Sequence, residues 1–114
     1  RAPCDGTVLS VRHNPGRYLA AYREEAPRQN ENNELVLESK FGSILVRQVA
    51  GFLARRTVCR VGVGARLRQG ERFGLIRFGS RVDVYLPAES MVQVKVGDRV
   101  TAGETILAAI GSRG

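Results

Sequence analysis

A serine in an apolar setting is the residue of this sequence best placed for covalent chemistry. Ser80 follows Gly79 and falls on the apolar side of an alternating stretch, together with Ile76, Phe78, Val82, Val84 and Leu86. The opposite side carries Arg77, Arg81, Asp83 and Tyr85. A small hydroxyl at such a position is either part of a bulge that relieves crowding or a nucleophile held where water has little access. The pattern by itself favours the bulge and leaves the nucleophile as the alternative.

Cysteine and histidine offer no second reactive site. Cys4 and Cys59 lie far apart without a second cysteine near either, and His13 is the single histidine. The spacing builds neither a zinc site nor a Cys-His nucleophile, so we predict no metal. Both cysteines are expected to be reduced and the protein to be intracellular.

Basic charge is concentrated in one part of the chain. The formal net charge is +7, and all but Lys40 and Lys95 of the 18 basic residues are arginine. Between positions 44 and 81 the only acid is Glu71, against Arg47, Arg55, Arg56, Arg60, Arg66, Arg68, Arg72, Arg77 and Arg81. Guanidinium groups suit phosphate and carboxylate oxygens, so this block fits phospholipid headgroups, nucleic acid or an anionic small molecule. A solvated surface is the alternative reading.

Length and composition predict one folded domain over residues 1–114. The chain is 43% apolar and 25% charged, with four prolines, which fits a soluble core better than a disordered chain. Its longest apolar run, 106–110, is far below the roughly 18 residues that span a bilayer. We expect neither a membrane span nor an export leader.

Short β-branched stretches separated by Gly and Asp predict an all-β domain. The predicted strands are Thr7–Val11, Leu35–Leu37, Ile44–Val49, Thr57–Val61, Phe73–Phe78, Val82–Leu86, Val92–Val96 and Thr105–Ile110. The polar stretch 20–33, with a proline in its middle, is predicted to be a long loop, and long loops are often functional.

An internal sequence repeat makes the predicted fold more specific. The stretch 61–71 lines up with 94–104, and each copy predicts a strand followed by two glycine turns. The paired pattern resembles the biotinyl/lipoyl-like barrel-sandwich hybrid. A carrier module of that fold needs a lysine at an exposed hairpin tip, whereas Lys95 is predicted inside a strand and Lys40 in a Lys-Phe-Gly turn.

Several blocks point to one family. They are Phe78-Gly79-Ser80 with Pro87, Gln48-Val49-Ala50-Gly51 with Ala54-Arg55-Arg56 and Arg60, the His13-Asn14-Pro15-Gly16 turn and the Asn30-Glu31-Asn32-Asn33 run. In their order along the chain, these blocks resemble the phosphatidylserine decarboxylases, particularly their short, prokaryotic form. The likeness covers essentially the whole chain.

The resemblance implies a self-made pyruvoyl cofactor. The Ser80 hydroxyl would attack the Gly79 carbonyl, and elimination and hydrolysis would leave a pyruvoyl group at position 80. Its ketone would form a Schiff base with phosphatidylserine, and loss of CO₂ would give phosphatidylethanolamine. Ser80 and Gly79 are therefore the predicted catalytic positions, and Arg55 and Arg56 are candidates by charge to hold the substrate phosphate.

The family pattern also includes residues that are not found in this sequence. An Asp and a His that assist self-cleavage precede the Arg-Ala-Pro with which the sequence opens, so we expect them upstream of Arg1, and slow or absent maturation without them. Asn32 stands where the family commonly has an arginine. His13, in a predicted turn, is expected to have a surface or capping role rather than to replace the upstream His.

The expected partners are an anionic phospholipid substrate at the cytoplasmic face of the cell membrane, where the protein would be peripheral, and the two chains made by cleavage. A homo-oligomer is left open. A non-catalytic lipoyl-like binding or adaptor module is the alternative function. A basic RNA-binding barrel is disfavoured, since the seven aromatic residues form no base-stacking pair on one strand, and we predict no nucleic acid partner.

Overall fold

The computed structural model describes residues 1–16, 30–50, 57–76 and 81–110. Within these ranges the chain forms nine β-strands and no helix, which confirms the all-β prediction. The strands are β1 (Gly6–Asn14), β2 (Asn32–Ser39), β3 (Gly42–Val49), β4 (Thr57–Cys59), β5 (Arg66–Leu67), β6 (Gly74–Ile76), β7 (Arg81–Tyr85), β8 (Met91–Val92) and β9 (Ala108–Ala109).

Five of the strands form one antiparallel sheet in the order β5-β1-β2-β3-β7, curled into a half-barrel. The β2–β3 hairpin closes at the predicted Lys-Phe-Gly turn. There the Ser39 hydroxyl accepts the Phe41 N–H and donates to the Gly42 carbonyl, and Gly42 has a φ of 109°. A residue with a Cβ rarely adopts that φ, so glycine fixes the register of the hairpin.

The core lies on one face of this sheet. Alternation along β2 and β3 brings Leu35, Leu37, Ile44 and Val46 to that face, where each is at most 1% exposed. Burial of each such side chain contributes about 1.5–3 kcal/mol. Val84 of β7 and Leu86, directly after this strand, pack against the same cluster, as the sequence pattern predicts. Val82, predicted to share their side, is instead 53% exposed.

A separate two-stranded ladder joins β4 to β6, with Thr57 opposite Ile76 and Cys59 opposite Gly74. This ladder meets the large sheet at Gly74. A Cβ at that position would overlap the Val58 carbonyl oxygen and lie 2.7 Å from Nε2 of Gln48 in β3. Only glycine allows this approach of β6 to the sheet.

The predicted internal repeat is present in the backbone. Gly64 and Gly97 have φ values of 89° and 95°, and Gly70 and Gly103 have values of 81° and 78°. Equivalent turn hydrogen bonds also recur, from Ala65 N–H to the Gly62 carbonyl and Asp98 N–H to Lys95, and from Glu71 N–H to Arg68 and Glu104 N–H to Thr101. The glycines were therefore correctly interpreted as turn formers.

Two local predictions are corrected by the structure. Lys95 lies outside any strand, because its N–H donates to Oδ2 of Asp98 at 3.0 Å and so closes the turn before Gly97. The predicted loop 20–33 ends earlier than expected, since Asn32 and Asn33 already belong to β2; residues 17–29 lie outside the described ranges. These asparagines enter a strand because hydrogen bonds satisfy their buried side chains.

Candidate active site

The residues predicted to do chemistry border the described structure. Gly79 and Ser80 fall within residues 77–80, and Arg55 and Arg56 within residues 51–56, so all four lie outside the described ranges. The chain is described up to Ile76 before the serine, and again from Arg81, the residue directly after it. The described residues around Ile76 and Arg81 therefore define the candidate site.

Strand register locates the downstream end. Arg81 pairs with Val49, and Val49 also pairs with Asn32 on the other side of β3. Asn32 in turn pairs with Asn14, the last residue of β1. β7 therefore begins, at Arg81, at the end of the sheet where β1 and β3 finish and β2 begins.

Four buried carboxamides gather at this end of the sheet. They are 1–6% exposed, and we call them the carboxamide cluster: Asn30, Asn32, Asn33 and Gln48. A buried amide without partners costs about 1–3 kcal/mol, so its hydrogen bonds decide whether it is tolerated. Because carboxamides are neutral, such a cluster can fix backbone groups without adding charge beside a reacting bond.

One series of hydrogen bonds runs across the core-facing side of the strands. His13 Nδ1 lies 2.7 Å from Oδ1 of Asn33, whose Nδ2 donates to Oε1 of Gln48 at 3.4 Å. Gln48 Nε2 then donates to the Val58 carbonyl of β4 at 3.1 Å. Since an amide oxygen can only accept, Nδ1 of His13 must carry the proton. We call this series of three side chains the His13–Asn33–Gln48 relay.

His13 itself is placed differently from the prediction. It belongs to β1 and not to a turn, because β1 continues to Asn14 opposite Asn32. Its side chain is 52% exposed, and Nε2 lies 3.8 Å from a carboxylate oxygen of Glu31. The imidazole thus forms the solvent-exposed end of the relay.

A second series anchors the chain on the other side of the sheet. Asn14 Nδ2 donates to Oδ1 of Asn32, and Asn32 Nδ2 donates to the Asn30 carbonyl at 2.8 Å. Asn30 Nδ2 then donates to the Ala50 carbonyl at 2.6 Å. Ala50 directly precedes residues 51–56, so this series fixes the point from which the Arg55-Arg56 segment departs.

Charged side chains hold β7 to β3 on the same side. Arg81 Nε donates to Oδ1 of Asp83 at 2.7 Å, and Arg47 lies opposite Asp83 in register. Arg47 pairs with Glu34 at 3.0 Å and donates to the Tyr85 hydroxyl at 3.1 Å. The residue after the serine is therefore fixed by its side chain as well as by its backbone.

Other features of the described residues lie away from this end. A cleft of about 660 Å³ at the opposite end of the sheet includes Cys4, Asp5 and Arg66, and none of the predicted site residues lines it. Burial raises the pKa of the Cys4 thiol, which disfavours the reactive thiolate. Among the described residues, no three His, Cys, Asp or Glu side chains form a metal-binding group. The described residues also include no helix long and apolar enough to cross a membrane.

The carboxamide cluster is the part of the site that sequence reasoning did not find. Its signal was present, since Asn33 and Gln48 each occupy an inward position of a strand whose other inward residues are aliphatic. A polar residue in such a position must have a buried partner. The partner is supplied by another strand, which alternation alone does not reveal.

Comparison with known proteins identifies the family of the chain through its sequence. No solved structure matches the chain. The family model described as phosphatidylserine decarboxylase matches residues 1–108 of the 114, including both segments that carry the predicted functional residues and the whole carboxamide cluster. The chain belongs to the phosphatidylserine decarboxylase family.

Proposed function

We propose that this protein cleaves itself between Gly79 and Ser80, converts Ser80 into a pyruvoyl group and decarboxylates phosphatidylserine to phosphatidylethanolamine. The observation that carries the proposal is the separate anchoring of the two strands beside that bond. The upstream strand β6 pairs with β4, whereas β7, downstream, pairs with β3 over five residues. A cut at 79/80 therefore leaves each new end held by its own partner.

The bonds made and broken in the cleavage belong to Gly79 and Ser80. The Ser80 oxygen bonds to the Gly79 carbonyl carbon and the amide C–N bond breaks, so that the backbone amide becomes an ester and residue 80 gains a free amine. Loss of the Ser80 Cα proton then expels Gly79 as a carboxylate and leaves dehydroalanine. Hydrolysis releases ammonia and yields the pyruvoyl group. Glycine at position 79 keeps the attacked carbonyl unhindered.

The described residues fit such a group at position 80. When formed, a pyruvoyl ketone supplies an electron sink for the bond to the departing CO₂. β7 orients it, since Arg81 is held by register with Val49 and by Asp83. The nearby buried side chains of the carboxamide cluster are neutral hydrogen-bonding groups, which limit water without placing a carboxylate beside an acidic substrate.

The described residues on either side of segment 51–56 support a role for Arg55 and Arg56 in holding the substrate phosphate. Residues 51–56 connect Ala50 to Thr57, and residues 77–80 connect Ile76 to Arg81. Thr57 pairs with Ile76, and Val49, which precedes Ala50, pairs with Arg81. The two segments therefore start and end beside one another, as a phosphate-binding residue and a reactive ketone for one headgroup require.

The substrate also suggests where the protein works. We propose peripheral binding at the cytoplasmic face of the cell membrane, supported by the exposed arginines of the basic block, Arg60, Arg66, Arg68 and Arg72. Each basic residue close to an anionic surface contributes about 1 kcal/mol.

Mass spectrometry of the protein expressed from its natural gene tests the proposal. We expect two chains, the second beginning at residue 80 with a carbonyl that borohydride reduces. Ser80→Ala should abolish the cut, because alanine has no hydroxyl to attack Gly79. A folded wild-type protein that stays uncut, or a Ser80→Ala variant that is cut normally, would instead favour a non-catalytic lipoyl-like module.

A further inference from the structure

Gln48 occupies a position where the sheet pattern calls for an aliphatic residue. Along β3 the core-facing residues are Ile44, Val46 and then Gln48, which is only 4% exposed. A carboxamide in such a position destabilises the fold unless its hydrogen bonds compensate. What Gln48 touches therefore indicates why this residue type stands here.

Gln48 connects the two strands that flank the 79/80 bond. Its Nε2 donates to the Val58 carbonyl in β4 and lies against the backbone of Gly74, the first residue of β6. Gln48 itself pairs with Val82, two residues after Ser80. Gln48 thus joins the upstream ladder to β3 through its side chain, and pairs β3 with β7 through its backbone.

The Val58 carbonyl fixes the orientation of this amide. A carbonyl only accepts, so Gln48 directs Nε2 at Val58 and Oε1 at Nδ2 of Asn33. Oδ1 of Asn33 then faces Nδ1 of His13, which donates to it. Each amide of the relay therefore has a single orientation that satisfies its partners.

We propose that the His13–Asn33–Gln48 relay is a positioning device for the first step of self-cleavage, the attack of Ser80 on Gly79. The inference rests on the proposed self-cleavage and assigns Gln48 as its central positioning residue. Intramolecular attack depends steeply on the placement of the reacting atoms, and a displacement of about 1 Å can cost about 100-fold in rate. Because the relay ties β4 to β3 beside the start of β6, and β3 pairs with β7, it restricts the ends between which the attack takes place.

The test compares cleavage rates of Gln48→Leu and wild type, both expressed from the natural gene and followed on denaturing gels. Leucine suits the apolar row but leaves Nδ2 of Asn33 without its acceptor, so the two proteins are compared at temperatures where thermal unfolding shows both to be folded. Cleavage should then slow by about tenfold or more. Gln93→Leu is the matched control, since exposed Gln93 also donates its amide to a backbone carbonyl, that of Met91. It should cleave at the wild-type rate.

A second variant and a second readout separate positioning from stability. His13→Leu, at the half-exposed end of the relay, removes the donor without opening the core, and should slow cleavage less than Gln48→Leu. Hydroxylamine cuts an accumulated ester, so it should leave the slow variants intact if the attack itself is impaired. Ester accumulation in Gln48→Leu, or wild-type rates in both folded variants, overturns the proposal. A wild-type chain that is never cut overturns the proposed function along with it.

Discussion

Gly74 is a residue at which the described structure leaves no room for a side chain. Its position faces the Val58 carbonyl oxygen and the Gln48 amide, both of which belong to neighbouring strands. A β-carbon there would push β6 away from the relay. The effect therefore combines a loss of stability with a displacement of the strand that leads to the cleavage bond.

We expect Gly74→Ala to lower the free energy of unfolding by about 1–3 kcal/mol, the usual range for overpacking, and to slow self-cleavage. Urea unfolding and denaturing gels measure the two effects. Gly62→Ala is the matched control, because no atom lies within 4 Å of its added methyl group and its φ is ordinary. Equal stability of the two variants would show that β6 does not approach the sheet as closely as described.

At the same scale, the sequence allowed some residues to be interpreted and not others. The turn glycines were predictable because the two copies of the repeat place them in equivalent positions, Gly64 with Gly97 and Gly70 with Gly103. Gly74 was not predictable, since glycine is required there by contact with Val58 of β4. Val58 lies sixteen positions earlier in the sequence, and only tertiary packing brings the two residues together. The roles of Asn33 and Gln48 likewise depend on cross-strand partners.

At the scale of elements, the two pieces made by cleavage share one core. The first piece contains β1 to β6, and the second begins just before β7. In the second piece, Val84 of β7 and Leu86, directly after this strand, pack against the core cluster formed by the first piece. The ladder between β3 and β7 adds backbone hydrogen bonds along five paired positions. These contacts do not involve the 79/80 bond.

We therefore expect the cleaved protein to elute from size-exclusion chromatography as a single species that contains both chains, and to separate only in denaturant. Val84→Asp should release the second chain, because it would place a charge where Val84 of β7 packs against the core cluster of the first chain. Val63→Asp is the matched control, since Val63 lies outside the strands and is 71% exposed. Separation of the wild-type chains without denaturant would contradict the shared core.

The sequence predicted these elements better than their pairing. Every predicted strand overlaps an observed one, because the β-branched runs and the glycines between them are local signals. Consecutive strands commonly pair, yet β6 and β7 pair with β4 and β3 instead. That choice is made by core packing and by the approach at Gly74, and it is the feature on which the separate anchoring of the 79/80 bond depends.

At the scale of the whole molecule, the distribution of charge separates membrane binding from a merely basic surface. Exposed basic residues occur inside the block between positions 44 and 81 and also outside it, as Arg60 and Arg72 do inside and Lys95 and Arg99 outside. If the block faces anionic headgroups, only the first pair should contribute to binding. A nonspecific attraction that follows net charge would treat both pairs alike.

We expect Arg60→Gln/Arg72→Gln to weaken binding to phosphatidylserine vesicles by about 2 kcal/mol, or roughly 30-fold, since each basic residue near the surface contributes about 1 kcal/mol. Lys95→Gln/Arg99→Gln removes the same charge and should bind as wild type does. Co-sedimentation with vesicles at increasing salt measures both, and the difference between the pairs should shrink as salt screens the surface. An equal loss in the two double variants would show that net charge, and not an oriented basic face, brings this protein to its substrate.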